Sequence, residues 1–143
     1  MHDDRSSVPA TVTGLRAEYA SALGHVVADV GPTAASDRTG LDAATLDALV
    51  DGDDGALDDL SLDEVAAIQA LADGAPDAET VAEIACDHLL LGMSMAVLDV
   101  DTVASEIEPD LTPKEVQQKL ERRADTSFPE FLAMQHLIVS RRR

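Results

Sequence analysis

Aromatic side chains, cysteine and lysine are scarce in this sequence. Of 143 residues only Tyr19, Phe128 and Phe131 are aromatic, Cys86 is the lone cysteine, and Lys114 and Lys119 are the only lysines. A single cysteine excludes an internal disulfide and any Cys-x-x-Cys zinc or redox site. With so few aromatics, a core has to be assembled from Leu, Val, Ile and Ala, which favours helices over sheets. The longest apolar run, Leu89 to Leu98, is about half of the roughly 20 residues that a membrane span needs. The amino end, Met1-His2-Asp3-Asp4-Arg5, lacks the charged-then-apolar pattern of an export signal. A cytoplasmic protein without a membrane partner is expected.

Catalytic motifs are equally thin. There is no Gly-x-x-x-x-Gly-Lys-Ser/Thr loop, no Gly-x-Gly-x-x-Gly and no Gly-x-Ser-x-Gly, so phosphate cradles and esterase elbows have no support. His2, His25, His88 and His136 are scattered along the chain. Cys86 and His88 stand two apart, about 200° around a helix, which suits neither one metal nor a nucleophile and base pair. The Asp51 to Asp59 cluster and Asp99-Val100-Asp101 lack the Gly and Glu order of a calcium loop, so a solvated acidic surface is the reading there. No enzyme activity, cofactor, metal or small-molecule substrate is expected.

What the chain has in abundance is negative charge: 28 acidic residues against 10 basic ones, a net of -18. In dilute buffer that surface repels nucleic acid and anionic membranes. Asp-rich, Lys-poor, Ala-rich composition also resembles that of proteins from halophilic archaea, whose carboxylates keep them soluble in molar salt. The Debye length there shrinks to about 3 Å, so the acidity describes the solvent more than the partner.

Apolar spacing predicts an all-α fold of seven to eight short helices. Residues 1–12 are polar and aperiodic, a flexible arm. Leu15, Tyr19, Leu23, Val26, Val27 and Val30 recur at helical spacing until Gly31-Pro32. Pro32 opens a short helix closed by Gly40, and Asp42 is placed to cap the next. Ser61 with Glu64, Thr112 with Glu115 and Ser127 with Glu130 are capping-box signals. Asp77 is placed to cap a long helix, with Val81, Ile84, Ala85, His88, Leu91 and Met95 along one stripe; apolar on much of its circumference, it is expected to be central. Residues 13–74 read as an acidic lobe and 75–143 as a second lobe holding that helix.

Two segments carry a regulatory signal. In the first, Ala34-Ala35, Thr39-Gly40-Leu41, Leu46, Leu49, Gly52 and Leu60 to Val65 resemble the helix-turn-helix of the lambda-repressor and Cro class. Its would-be recognition helix carries Asp42, Asp47 and Asp51 and no donor for a base edge or phosphate. In the second, charge reverses: residues 114–143 sum to +3 and everything before them to -21. A helix over 100–107, a turn and a helix over 113–123 again look like a helix-turn-helix, with Lys114, Gln117, Gln118 and Arg122 on one outward stripe as candidate DNA contacts. The competing reading is a capped surface helix with a solvated face.

Taken whole, the chain resembles a small haloarchaeal family of uncharacterised acidic helical proteins. The likeness lies in His88-Leu89-Leu90-Leu91-Gly92-Met93, Asp99 to Ala104 and Pro113-Lys114-Glu115-Val116-Gln117-Gln118-Lys119. It implies habitat and architecture and transfers no functional residue. The sequence therefore points to a helix-turn-helix regulator whose partner is DNA, reached through the 112–123 helix, with the acidic lobe serving dimerisation or partner binding. The alternative is a helical adaptor that uses Leu89 to Val100 and the acidic lobe to bind a protein partner and no nucleic acid.

Charge density of this kind makes a salt prediction. Lowering KCl from about 2 M to about 0.1 M removes the screening between carboxylates and should lower the melting temperature and broaden the transition. Circular dichroism melts that coincide at the two concentrations would contradict the high-salt reading.

Overall fold

The computed structural model describes residues 1–142; Arg143, counted in the charge of residues 114–143, lies outside the described residues. The chain is all-helical: α1 (Val12–Val30), α2 (Pro32–Thr39), α3 (Ala43–Val50), a 3-10 turn (Asp54–Leu57), α4 (Leu62–Gln69), α5 (Ala78–Ala96), α6 (Val100–Glu106), α7 (Pro113–Leu120) and α8 (Phe128–Ser140). Local chemistry accounts for most of the boundaries. All three capping boxes form, at Ser61, Thr112 and Ser127, and Thr11, Asp77 and Asp99 each accept from the backbone N–H three residues on. Each such cap is worth about 1 kcal/mol of helix stability. Asp42 holds the N-cap position of α3 without a side-chain bond.

One continuous cluster of buried side chains runs from Leu15 in α1 to Ile138 in α8, so the core does not divide at residue 74 into the two lobes the sequence suggests. α8 is the reason. Phe128, Phe131, Leu132, Met134 and Ile138 are all buried, and the helix packs against α1, α4, α5 and α6. The whole aromatic content of the chain meets here: Tyr19 stands edge-on to Phe128 at 5.2 Å, and Phe128 stacks on Phe131 at 5.7 Å. The Tyr19 hydroxyl donates to the buried Gln135 amide oxygen at 2.7 Å. Among the described residues no strand forms, but the segments entering α4 and α8 lie antiparallel. There the Leu62 N–H donates to Thr126 O and the Phe128 N–H to Leu60 O, both at 2.8 Å.

Two expectations need correction. Residues 1–12 do not extend freely, because the acidic and basic groups of that segment find partners on the body. Met1 and Val8 pack against the core, Arg5 lies 5.3 Å over the Tyr19 ring, His136 Nε2 donates to Pro9 O at 2.9 Å, and Arg142 pairs with Asp4 at 3.2 Å. The stripe of α5 is also phased differently. Its buried face is Val81, Ala82, Ala85, Cys86, Leu89, Gly92, Met93 and Ala96, while Leu91 and Met95 are exposed. A helix apolar on most sides leaves periodicity no means of choosing a face. Gly92 chooses it: a Cβ there would sit 2.7 Å from Ile138 Cγ2, so only glycine lets α8 approach this side. Gly24 does the same between α1 and α3, where a Cβ would lie 2.4 Å from the Leu49 carbonyl oxygen.

The α1–α8 seam can be tested by Tyr19→Phe. It keeps the ring and leaves the buried Gln135 oxygen without its donor, which should cost about 1–3 kcal/mol. Urea unfolding should show a lower midpoint with an unchanged slope; an unchanged midpoint would show that the seam does not depend on this bond.

Candidate functional site

The stripe expected to read DNA is only partly assembled. α7 stops at Leu120, not at 123, so Arg122 is not on the helix. The chain turns there: Arg122 adopts a left-handed φ of 60°, and the Arg123 N–H closes the helix end on Gln118 O at 2.7 Å. Thrown back toward the body by that turn, Arg122 pairs with Asp63 of α4 at 3.0 Å and is about one quarter exposed. Gln117 is exposed and donates to Glu121 at 3.3 Å. Gln118 is half-buried, and Lys114 is exposed at the first turn. The nearby Lys119 is mostly buried between Glu130, 3.0 Å away, and the Asp125 carbonyl. The periodicity that placed Arg122 in register with Lys114 and Gln118 assumed a helix one turn longer than the residues form.

A second surface lies at the carboxyl end of α5. Six large apolar side chains are exposed among the described residues, and four of them, Leu90, Leu91, Met95 and Val97, belong to this end of the helix, Leu90 lining a cleft with Glu83, Asp87 and Leu120. Leu91 and Met95 are one helical turn apart and so share a face. Val97 ends the helix at φ 57°, ψ 47°, the left-handed conformation, while its side chain is 82 % exposed. That backbone costs an L-residue about 1–2 kcal/mol and suits a β-branched one least. The sequence signal for this surface was present, since residues 88–98 contain no acid or base other than His88. The adaptor alternative drew on this same stretch, Leu89 to Val100, although the stripe expected along α5 counted Leu91 and Met95 with the residues facing inward.

The remaining features offer less chemistry. α3 presents Asp42, Asp47 and Asp51 to solvent and buries Leu46 and Leu49 against the body. A groove of about 670 Å³ between α1, α6 and α8 has an apolar floor including Leu132 and Leu137. Its arginines are neutralised at the rim, Arg16 by Asp58 at 3.0 Å and Arg141 by Glu106. Cys86 is buried, and burial pushes its thiol up to about 11 although Arg122 draws it down. It is therefore a poor nucleophile at neutral pH. Among the described residues, no three His, Cys, Asp or Glu side chains are placed to hold a metal ion. No single described helix is long and apolar enough to cross a membrane.

Fold and surface together define an all-α protein with one continuous core, an acidic exterior and exposed apolar side chains at the end of α5. The chain belongs to DUF5791, a family of unknown function, whose model matches residues 15–141. No curated protein and no solved structure matches it.

Lys119 and Glu130 hold the end of α7 to the start of α8, and this tie titrates. Burial raises the Glu130 carboxyl, but the Ser127 backbone N–H and the Lys119 ammonium more than offset it and hold the group below the usual glutamate value. A carboxyl depressed by folding contributes stability that is complete above about pH 4.3 and is lost as pH falls through the lower folded value. Glu130→Gln should be less stable than wild type at pH 7, and the difference should shrink as pH falls from about 4.3 toward 3. Urea midpoints at each pH check this, and a difference that stays constant would assign the tie no ionic part.

Proposed function

We propose that this chain is a non-enzymatic helical interaction protein that binds protein through the apolar end of α5. Its cytoplasm is one of high salt, as in halophilic archaea. The single observation that carries the reading is the exposed group Leu90, Leu91, Met95 and Val97 on a stretch without acidic residues. An apolar patch on a chain of net charge -18 opposes the solubility that every other face promotes, and such patches mark protein contact sites. Methionine at the patch adapts readily to a partner's shape. Immobilised wild-type chain, exposed to extract of the producing organism in about 2 M KCl, should retain a protein identifiable by mass spectrometry. Leu91→Asp should lose it and Lys114→Glu should keep it; the same set retained by all three would overturn the assignment of this surface.

A second reading is a regulator that contacts DNA through α7. It is favoured by the short α6 and α7 helices joined through residues 107–112, with Lys114 and Gln117 both exposed on α7. Arg122 would contribute to it only by leaving Asp63. The cation supply is small for phosphate contact, and high salt weakens what counterion release can add. Under the first reading, fluorescence anisotropy against mixed duplex fragments in about 2 M KCl shows no binding. Binding that Lys114→Glu, Gln117→Ala abolishes, with circular dichroism unchanged, would instead establish the DNA reading.

A further inference from the structure

We propose that residues 1–10 are a strap that lifts while the body stays folded, that Arg142 is its latch, and that release widens the apolar surface at the end of α5. The proposal rests on the reading of that surface as a protein contact site and adds how access to it is controlled. The strap forms no helix or strand. Among the described residues, no backbone-to-backbone hydrogen bond joins residues 1–10 to the rest of the chain. Side chains hold it instead. Arg142 pairs with Asp4 at 3.2 Å and donates to the Arg5 carbonyl at 2.6 Å. Arg5 pairs with Glu18 at 3.6 Å while lying over the Tyr19 ring, and His136 holds the Pro9 carbonyl at 2.9 Å. Met1 and Val8 add packing against the core.

Such ties are weak one by one. Asp4 and Glu18 are each about half exposed, so water competes for both ion pairs. A terminal segment fixed by side chains alone opens far more readily than a helical core unfolds. Arg142 connects this segment to the α5 end. Its guanidinium reaches Asp4 on one side and the Met95 sulfur, 3.4 Å away, on the other. Its Cδ would stand 3.7 Å from a Cβ at Gly92, so it crosses α5 where glycine leaves room. When the strap lifts, Arg142 loses Asp4 and the Arg5 carbonyl, Tyr19 loses the cation over its ring, and the core loses the cover of Met1 and Val8. The surface uncovered adjoins Met95 and extends the exposed group of Leu91, Met95 and Val97. Those side chains alone are bordered by the exposed Asp87 and Asp99 and cover less than the about 800 Å² per partner of a stable interface. The area beneath the strap supplies what they lack.

Trypsin reads the strap directly, because the bond it cuts after Arg5 contains the carbonyl that Arg142 holds, and cleavage tracks the opened population. In about 2 M KCl the wild-type chain should be cut after Arg5 while Arg16, within α1, stays intact. Arg142→Gln should raise the Arg5 rate about tenfold, and Asp4→Asn, which leaves Arg142 in place, about threefold. Each rate is divided by that of a free peptide of the same residues 1–10, and the Arg16 rate, which reports the body, should not change. Nile red, a neutral apolar dye, reads the uncovered surface: its fluorescence should rise in Arg142→Gln and fall back when Leu91→Asp is added. Cleavage after Arg5 only in step with Arg16 would overturn the strap, and so would an Arg5 rate that Arg142→Gln leaves unchanged. Dye fluorescence that does not rise in Arg142→Gln, or that Leu91→Asp does not lower, would separate the strap from the α5 end and overturn the control of access. The contact reading fails separately, in the capture experiment, if wild type and Leu91→Asp retain the same proteins.

Discussion

The fold depends on α8 being able to lie against α1 and α5 at once. Its start meets α1 through Tyr19, Phe128 and Phe131, the chain's entire aromatic content, and its end meets α5 across Gly92. Each contact requires something the rest of the sequence cannot supply: three large rings where all else is aliphatic, and a missing side chain in a helix where glycine otherwise costs about 1 kcal/mol. Between them lies Gln135, a buried polar group tolerable in this core because Tyr19 satisfies it. The antiparallel pairing of residues 60–62 with 126–128 then sets the starts of α4 and α8 side by side. A chain that reads as two lobes is thereby closed around one core.

Charge constrains the exterior as strongly as α8 constrains the interior. The few cations that lie near the body are spent on internal ties: Arg16 to Asp58, Arg122 to Asp63, Lys119 to Glu130, Arg141 to Glu106 and Arg142 to Asp4. Partly exposed pairs of this kind contribute little each in water. Their consequence is for recognition, since a cation already facing a carboxylate is not free to hold a phosphate. The positive total of the carboxyl third therefore does not make a positive surface. What differs from the acidic exterior is the run 88–98 at the end of α5, which has no Asp, Glu, Lys or Arg of its own although Asp87 and Asp99 border it.

Helix starts were the most legible part of the sequence, because Ser61, Thr112 and Ser127 each specify a boundary through bonds made within four residues. The phase of α5 was not legible, because its face is chosen by a contact between Gly92 and Ile138 that are far apart in sequence. The end of α7 failed for a related reason. No glycine marks it, and Arg122 enters the left-handed region where the usual signal is Gly or Asn. The arm at 1–12 reads as free because its polar residues show no period, yet Arg5, Asp4 and the Pro9 carbonyl meet partners in Tyr19, Arg142 and His136. The resemblance drawn on 88–93 and 113–119 was to an uncharacterised family, and a family of unknown function is what the match over 15–141 gives; the exposed Leu90 and Leu91 fall within the first of these stretches.

Two helices thus end on a left-handed residue that is not glycine, and comparing them separates structure from use. At Arg122 the conformation has an internal reason: it turns a long side chain back onto Asp63 and beside Cys86, so the backbone strain is set against an ion pair across helices. At Val97 the side chain is 82 % exposed, and no ionic or polar group on it could reach back to the body. Closure of the helix end needs only backbone, with the Leu98 N–H reaching Met93 O at 2.9 Å, and glycine would close it equally well. The strain at Arg122 is therefore accounted for within the chain. That at Val97 has no such account within the chain, which is what separates the end of α5 from the cationic turn after α7.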